Sequence, residues 1–159
     1  MKNKAAVTRQ GDHAIVVTRR FNAPSELVFD AFTKPEMMKE WFHGPPGWKL
    51  TTCEVDLHPG GAYRRVWSND AGESMGMGGV FTEVERPVRV VRTERYDQPW
   101  YEGEAVGTFT LSAVEKGTLM TLTIEYGSQA VRDQVMASPV MAGMETGYAG
   151  LDKYLETMQ

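Results

Sequence analysis

Residues 138–158 read SPVMAGMETGYAGLDKYLETM. Ser138 is of a type that caps helices, and Pro139 suits the first helical position, where a missing N–H costs nothing. Beyond them Met141, Met144, Tyr148, Leu151, Leu155 and Met158 recur at steps of three and four. That spacing predicts one apolar stripe along a helix of about five turns. Gly143, Gly147 and Gly150 interrupt it, each at a cost of roughly 1 kcal/mol against alanine. Gly143 and Gly147 share a face, which leaves room either for close approach of the sheet or for a ligand beside the helix.

Upstream of this helix the period is two. Strands are expected at 48–57, 61–68, 74–85, 88–97, 104–115 and 118–126. The breaks between them, Pro59-Gly60-Gly61, Asn69-Asp70-Ala71-Gly72, Arg86-Pro87, Gln98-Pro99 and Lys116-Gly117, are turn chemistry. His13 to Phe21 makes a seventh strand, with Ile15, Val17 and Phe21 on one face. Short connections favour an antiparallel meander. Pro24 and Pro35 open two short helices, the first carrying Leu27, Val28, Ala31 and Phe32 and the second Met37, Met38, Trp41 and Phe42. His43-Gly44-Pro45-Pro46-Gly47 stops the second. Helical character resumes at Ser128, and Ser138-Pro139 divides it.

A large sheet must bury one face, and one long helix is available to cover it. The expected class is α+β, in the order β-α-α-β-β-β-β-β-β-α, with a curved seven-stranded antiparallel sheet wrapped around the C-terminal helix. Such a grip seldom closes completely, so a cavity is expected between sheet and helix. Residues 1–12 read as a flexible lead-in and 13–159 as a single domain.

The 159 residues are 42% hydrophobic and 24% charged, a globular balance. A net charge of −4 gives no overall pull toward nucleic acid or anionic lipid. The first ten residues hold no apolar stretch of signal-peptide length, and no run long enough to span a membrane occurs. Cytoplasmic residence is the simplest expectation. Cys53 is the only cysteine, which rules out an internal disulfide and a cysteine-rich zinc site. His13, His43 and His58 have no metal-ligand spacing, so neither a metal nor another cofactor is expected. Residues 74–79 are glycine-rich but lack the Lys-Ser/Thr ending of a phosphate loop.

Strand parity proposes the interior. Tyr63, Arg65 and Trp67 share a face, as do Val88, Val90, Arg92, Glu94 and Tyr96, and Met120, Leu122, Ile124 and Tyr126. With the helix residues, the candidate ligand-binding set is Trp41, Phe42, Trp48, Tyr63, Arg65, Trp67, Met77, Arg92, Glu94, Tyr126, Met144 and Tyr148. Buried charges at Arg65, Arg92 and Glu94 must pair with one another, with water or with a ligand. The alternative is that Arg92 and Glu94 lie near the sheet rim and reach water, or that the register slips at a bulge. No nucleophile motif is present. Glu94 as a general base and His43 as a proton carrier at the pocket mouth are the acid–base candidates, and no catalytic residue is assigned.

Five pieces in order carry a family resemblance. They are Arg19-Arg20-Phe21-Asn22-Ala23-Pro24; the Trp41 to Trp48 stretch; Asp56-Leu57-His58-Pro59-Gly60-Gly61; Gly79-Val80-Phe81-Thr82-Glu83-Val84 ahead of Pro87; and Gly117-Thr118-Leu119-Met120-Thr121-Leu122-Thr123. Over residues 13 to 158 the chain resembles the START-like (SRPBCC, helix-grip, birch-pollen-allergen-like) superfamily. Within it the chain is similar to the small bacterial proteins of the activator of heat-shock-protein-90 ATPase-like group. His58 stands where that family often has arginine.

The resemblance implies a helix-grip fold with a ligand cavity, in a fold that hosts lipid carriers, cyclases, oxygenase domains and chaperone cofactors. The leading expectation is binding of a hydrophobic or amphipathic small molecule, lipid-like or aromatic. An enzyme of the same fold, a cyclase, dehydratase or hydrolase on an apolar ring, is the alternative. A chaperone partner ranks last, because the carried-over name rests on one domain; about a dozen residues precede the first expected strand, so the namesake's extra N-terminal region is not expected. A homodimer is compatible with this reading; nucleic acid and membrane insertion are not expected.

Overall fold

The structure, a computed structural model, describes residues 3–159. In chain order the elements are β1 (Ala6–Gln10), β2 (Ala14–Phe21), α1 (Ser25–Thr33), α2 (Pro35–Trp41), β3 (Trp48–Val55), β4 (Ala62–Asn69), β5 (Ser74–Glu85), β6 (Arg89–Tyr96), β7 (Ala105–Val114), β8 (Gly117–Glu125), α3 (Gln129–Met136) and α4 (Pro139–Thr157). Among the described residues the strands form one antiparallel sheet in the order β1-β2-β8-β7-β6-β5-β4-β3. Strands β3 to β8 are a meander, and α1 and α2 carry the chain from β2 to the far edge at β3.

The sheet has eight strands, not seven. The added one is β1, which falls within the stretch expected as a lead-in. It pairs with β2 from Ala6 opposite Thr18 to Gln10 opposite Ala14. Four of its five side chains are exposed, so it carries no apolar alternation for a sequence pattern to detect. Backbone hydrogen bonding alone makes it a strand.

Two bulges, at Thr51 in β3 and Thr82 in β5, shift the register and bend their strands. The inner face of the resulting trough carries Ile15, Val17, Phe21, Phe109, Leu111, Met120, Leu122 and Ile124, all buried. Helix α4 lies in the trough. Leu151 and Leu155 are sealed and Tyr148 is 5% exposed, whereas Met141 and Met144 are only partly buried. The apolar stripe is therefore tight at its C-terminal end and loose at its N-terminal end. Its last expected member, Met158, lies past the helix and is exposed. Arg19, fully buried on β2, reaches Glu145 and Asp152 of α4 and ties the helix to the sheet.

Helix starts are partly as expected. The Ser128 side chain accepts a hydrogen bond from the Val131 N–H and caps α3. Ser138 makes no such bond to α4; its hydroxyl donates backward to the Val135 carbonyl at 2.6 Å. It thus closes α3, and Pro139 alone opens α4.

In the β3–β4 connection, His58 Nε2 stands 3.0 Å from Asp56 Oδ1, so histidine still supplies Asp56 with a partner. The Pro59 carbonyl and then Asp56 hold the His58 imidazole above its ordinary pKa. Gly61 is obligatory here, because a Cβ at that position would overlap the Asp56 carbonyl oxygen.

Candidate functional site

A cavity of about 730 Å³ lies between the concave face of the sheet, α1–α2 and α4. Its floor comes from strands: Arg65 and Trp67 on β4, Met77 and Phe81 on β5, Val90, Arg92 and Glu94 on β6, Phe109 on β7, and Met120, Leu122 and Ile124 on β8. Its roof is Phe32, Trp41, Phe42, Met144, Gly147 and Tyr148. Exposed lining residues mark the opening: Met75, Gln98, Pro139 and Val140. These belong to the start of β5, the β6–β7 connection and the start of α4.

The roof is locked by indole hydrogen bonds. Trp41 Nε1 donates to the Ala31 carbonyl at 2.9 Å, and Trp67 Nε1 donates to the Phe42 carbonyl at 2.9 Å. The Trp41 and Phe42 rings stack with centroids 5.0 Å apart. Buried indole N–H groups that find acceptors fix their rings, so this wall is preformed. Gly143 and Gly147 both line the cavity. A Cβ at Gly143 would meet nothing within 4 Å, and one at Gly147 would reach only the Trp41 ring at 3.9 Å. Of the two readings of these glycines, the space lies on the cavity side rather than at a helix–sheet contact.

Trp41, Phe42, Arg65, Trp67, Met77, Arg92, Glu94, Tyr126, Met144 and Tyr148 all line the cavity. Trp48 and Tyr63 do not. Tyr63 is buried, but its hydroxyl donates to the Thr93 carbonyl at 2.7 Å and its ring packs on Phe81. Trp48 sits at the first residue of edge strand β3 and packs half-buried against the core. Parity correctly turned Tyr63 inward, but depth is set by which neighbour covers it. Val88, placed inward by the same parity, precedes β6 and is exposed.

Sequence reading missed Trp100 and Tyr101, which sit after the Gln98-Pro99 break and line the cavity from a loop. Tyr96, Trp100, Tyr101 and Tyr126 form a chain of edge-to-face contacts, with centroids 5.9, 5.0 and 5.4 Å apart along it. Two adjacent aromatics in a polar loop were the available signal. The Tyr101 hydroxyl is buried without a hydrogen-bond partner among the described residues. His43, the candidate proton carrier, is not among the lining residues; its Nδ1 accepts the Leu50 N–H at 3.3 Å. Glu94 and Tyr126 do face the cavity.

The polar groups divide into two kinds. At the opening, Arg64 donates two hydrogen bonds to Asp97, at 2.9 and 2.6 Å, and holds that carboxyl below its usual range. Deeper, Arg92 and Glu94 face each other at 3.7 Å, and neither reaches the rim. Burial opposes the Arg92 charge, but Tyr63 and Glu94 outweigh it. Arg65 forms no ion pair among the described residues; its guanidinium lies over the rings of Phe42 and Tyr63. Burial, then the like charge of Arg92, pushes its pKa down. Burial raises the Tyr148 phenol to about 12. Among the described residues no group of three or more His, Cys, Asp or Glu is placed to hold a metal ion, and no helix is long and apolar enough to cross a membrane.

The family model described as Activator of Hsp90 ATPase homolog 1-like protein matches residues 22–156. A solved structure of a Rhodobacter sphaeroides protein superposes with a TM-score of 0.92 at 30% identity, covering 97% of this chain and 99% of that one. A Nitrosomonas europaea protein gives 0.81 at 24% identity over 94% and 98% of the two chains. An AHSA1-like protein from Aeromonas hydrophila gives 0.72 at 20% identity over 91% and 93%. Among curated proteins there was no significant match.

Proposed function

This chain belongs to the Activator of Hsp90 ATPase homolog 1-like family, and we propose that it binds a hydrophobic or amphipathic small molecule, lipid-like or aromatic, between the sheet and α4. The observation that carries this reading is the cavity itself. About 730 Å³ of space stands where a protein of this size normally packs side chains to crystal-like density. Pockets for small molecules span roughly 300–1,000 Å³ and combine apolar walls with a few polar groups. The walls here are mainly aromatic, aliphatic and methionine side chains. Methionine adapts to varied shapes, and burial of apolar ligand surface would contribute roughly 25 cal/mol per Å².

The test is native mass spectrometry of protein purified from its host, with a thermal-shift panel of apolar compounds. A co-purifying mass, or compounds that raise the melting temperature in proportion to concentration, is the expected result. No bound mass and no stabilising compound would remove the reading. An enzyme of the same fold is favoured by one observation, that Glu94 and Tyr126 face the same cavity. It requires turnover of a bound ring compound that Glu94→Gln abolishes without weakening binding.

A further inference from the structure

Among the described residues four charged side chains line the cavity: Arg65 from β4, and Arg92, Glu94 and Asp97 from β6 and its end. The lining residues of α1, α2, α3, α4, β5, β7 and β8 carry none. Asp97, at the opening, is taken by Arg64. The deep part of the cavity therefore holds two guanidiniums and one carboxylate.

These groups are poorly satisfied. Arg92 and Glu94 are 9% and 8% exposed, yet their closest approach of 3.7 Å is long for a charge-assisted hydrogen bond. The Nε atoms of Arg92 and Arg65 are both shut off from water and have no acceptor among the described residues. Arg65, half-buried between Cys53 of β3 and Met77 of β5, lies over two ring faces, Phe42 at 5.1 Å and Tyr63 at 5.0 Å from its Cζ. The fold nevertheless makes room for this arrangement. Gly107, opposite Arg92 on β7, lets the guanidinium lie against the strand, and a Cβ there would stand 3.1 Å from Nη1. An uncompensated buried charge is costly to a fold, and a guanidinium fork matches a carboxylate.

We propose that the ligand is a singly charged amphipathic anion, a monocarboxylate, whose head is held by Arg65 and Arg92 and whose apolar body lies against Trp41, Phe109, Leu122 and Met144. This rests on the reading of the cavity as a binding site. One negative charge balances the deep cavity; a dianion overshoots it. Glu94 already faces Arg92, so Arg65 carries the larger share of the head.

The test uses the full chain and calorimetric titration with matched probes: dodecanoate against dodecanol, naphthoate against naphthylmethanol, and dodecyl phosphate. Each carboxylate should bind about ten- to hundredfold tighter than its alcohol, the range of charge-assisted hydrogen bonds. Arg65→Met should remove most of that preference, lowering the acid-to-alcohol affinity ratio by about fivefold or more, and Glu94→Gln should tighten carboxylate binding. Equal affinity of acid and alcohol for the unaltered protein would overturn the anionic head and leave the binding reading intact. Dodecyl phosphate binding tighter than dodecanoate would overturn the single charge. Binding of no probe, together with no bound mass and no compound from the thermal-shift panel stabilising the protein, would overturn both readings.

Discussion

Arg19 and Asp152 are joined by two parallel hydrogen bonds, Nη1 donating to Oδ1 at 2.8 Å and Nη2 donating to Oδ2 at 2.7 Å. The same guanidinium donates to Glu145, from Nε at 3.2 Å and Nη2 at 3.1 Å. Glu145 and Asp152 are about two turns apart on α4, and the Phe21 and Tyr148 rings lie 4.9 and 6.0 Å from the cation. One residue of β2 thus grips two turns of the helix. Arg65 and Arg92 form a contrast, since their Nε atoms are sealed from water with no acceptor among the described residues.

Arg19→Met should destabilise the protein by about 2–3 kcal/mol, below the 3–5 kcal/mol of a fully buried pair because both carboxylates keep about a third of their exposure. Urea denaturation measures it. A loss below about 1 kcal/mol would mean that apolar packing alone holds α4.

Arg65→Met should behave oppositely. Replacing a half-buried cation that has no ion pair among the described residues by an apolar side chain of similar length should raise the stability of the unliganded protein by about 1 kcal/mol. A lower urea midpoint than the unaltered chain would show that Arg65 is satisfied in a way its surroundings do not reveal.

Gly143→Ala should stabilise α4 by about 0.5–1 kcal/mol, because alanine is the better helix former and its methyl enters open space. Gly143→Phe should project a ring into the cavity, keep the melting transition cooperative, and weaken binding of apolar probes by about tenfold or more. Full binding by the phenylalanine variant would place the ligand elsewhere.

The buried tyrosines make the fold sensitive to alkali. Burial raises Tyr63, Tyr96, Tyr101, Tyr126 and Tyr148, the last to about 12. A raised phenol contributes its full stability below the unfolded pKa of about 10 and loses it as pH rises through the folded value. For Tyr148 that window runs from about 10 to about 12, worth on the order of 3 kcal/mol at its end. Tyrosinate absorbance of these residues should therefore appear together with loss of circular dichroism. Ionisation with the fold intact would contradict it.

Cys53 is 7% exposed, sits 3.6 Å from the Met38 sulfur, and has its thiol pushed up by burial. Thiol reagents should label it only through unfolding, so its labelling rate should follow urea stability in each variant above. Rapid labelling of the folded protein would show local opening between α2 and β3.

Much of the fold was legible because facing is a local property. In an extended chain alternate side chains point to opposite sides, so parity alone turned Arg65, Arg92 and Glu94 inward. Helical spacing did the same for Tyr148, Leu151 and Leu155. Strand β1 was illegible because its side chains are exposed and its membership rests on backbone bonds to β2. Trp100 and Tyr101 escaped periodicity because a loop has none, and only their adjacency in a polar stretch marked them.

The order of strands and helices, the inner face of the trough and the stripe of α4 follow from the chain's own periodicities, which act between residues a few positions apart. Pairing and depth do not. Arg19 meets carboxylates 126 and 133 residues away, and Tyr63 turns its hydroxyl to β6, 30 residues on, instead of the cavity. Each outcome depends on which distant group arrives in reach once the sheet has bent. That is why the charges inside could be read from the sequence while their partners, or lack of them, were decided by the tertiary structure.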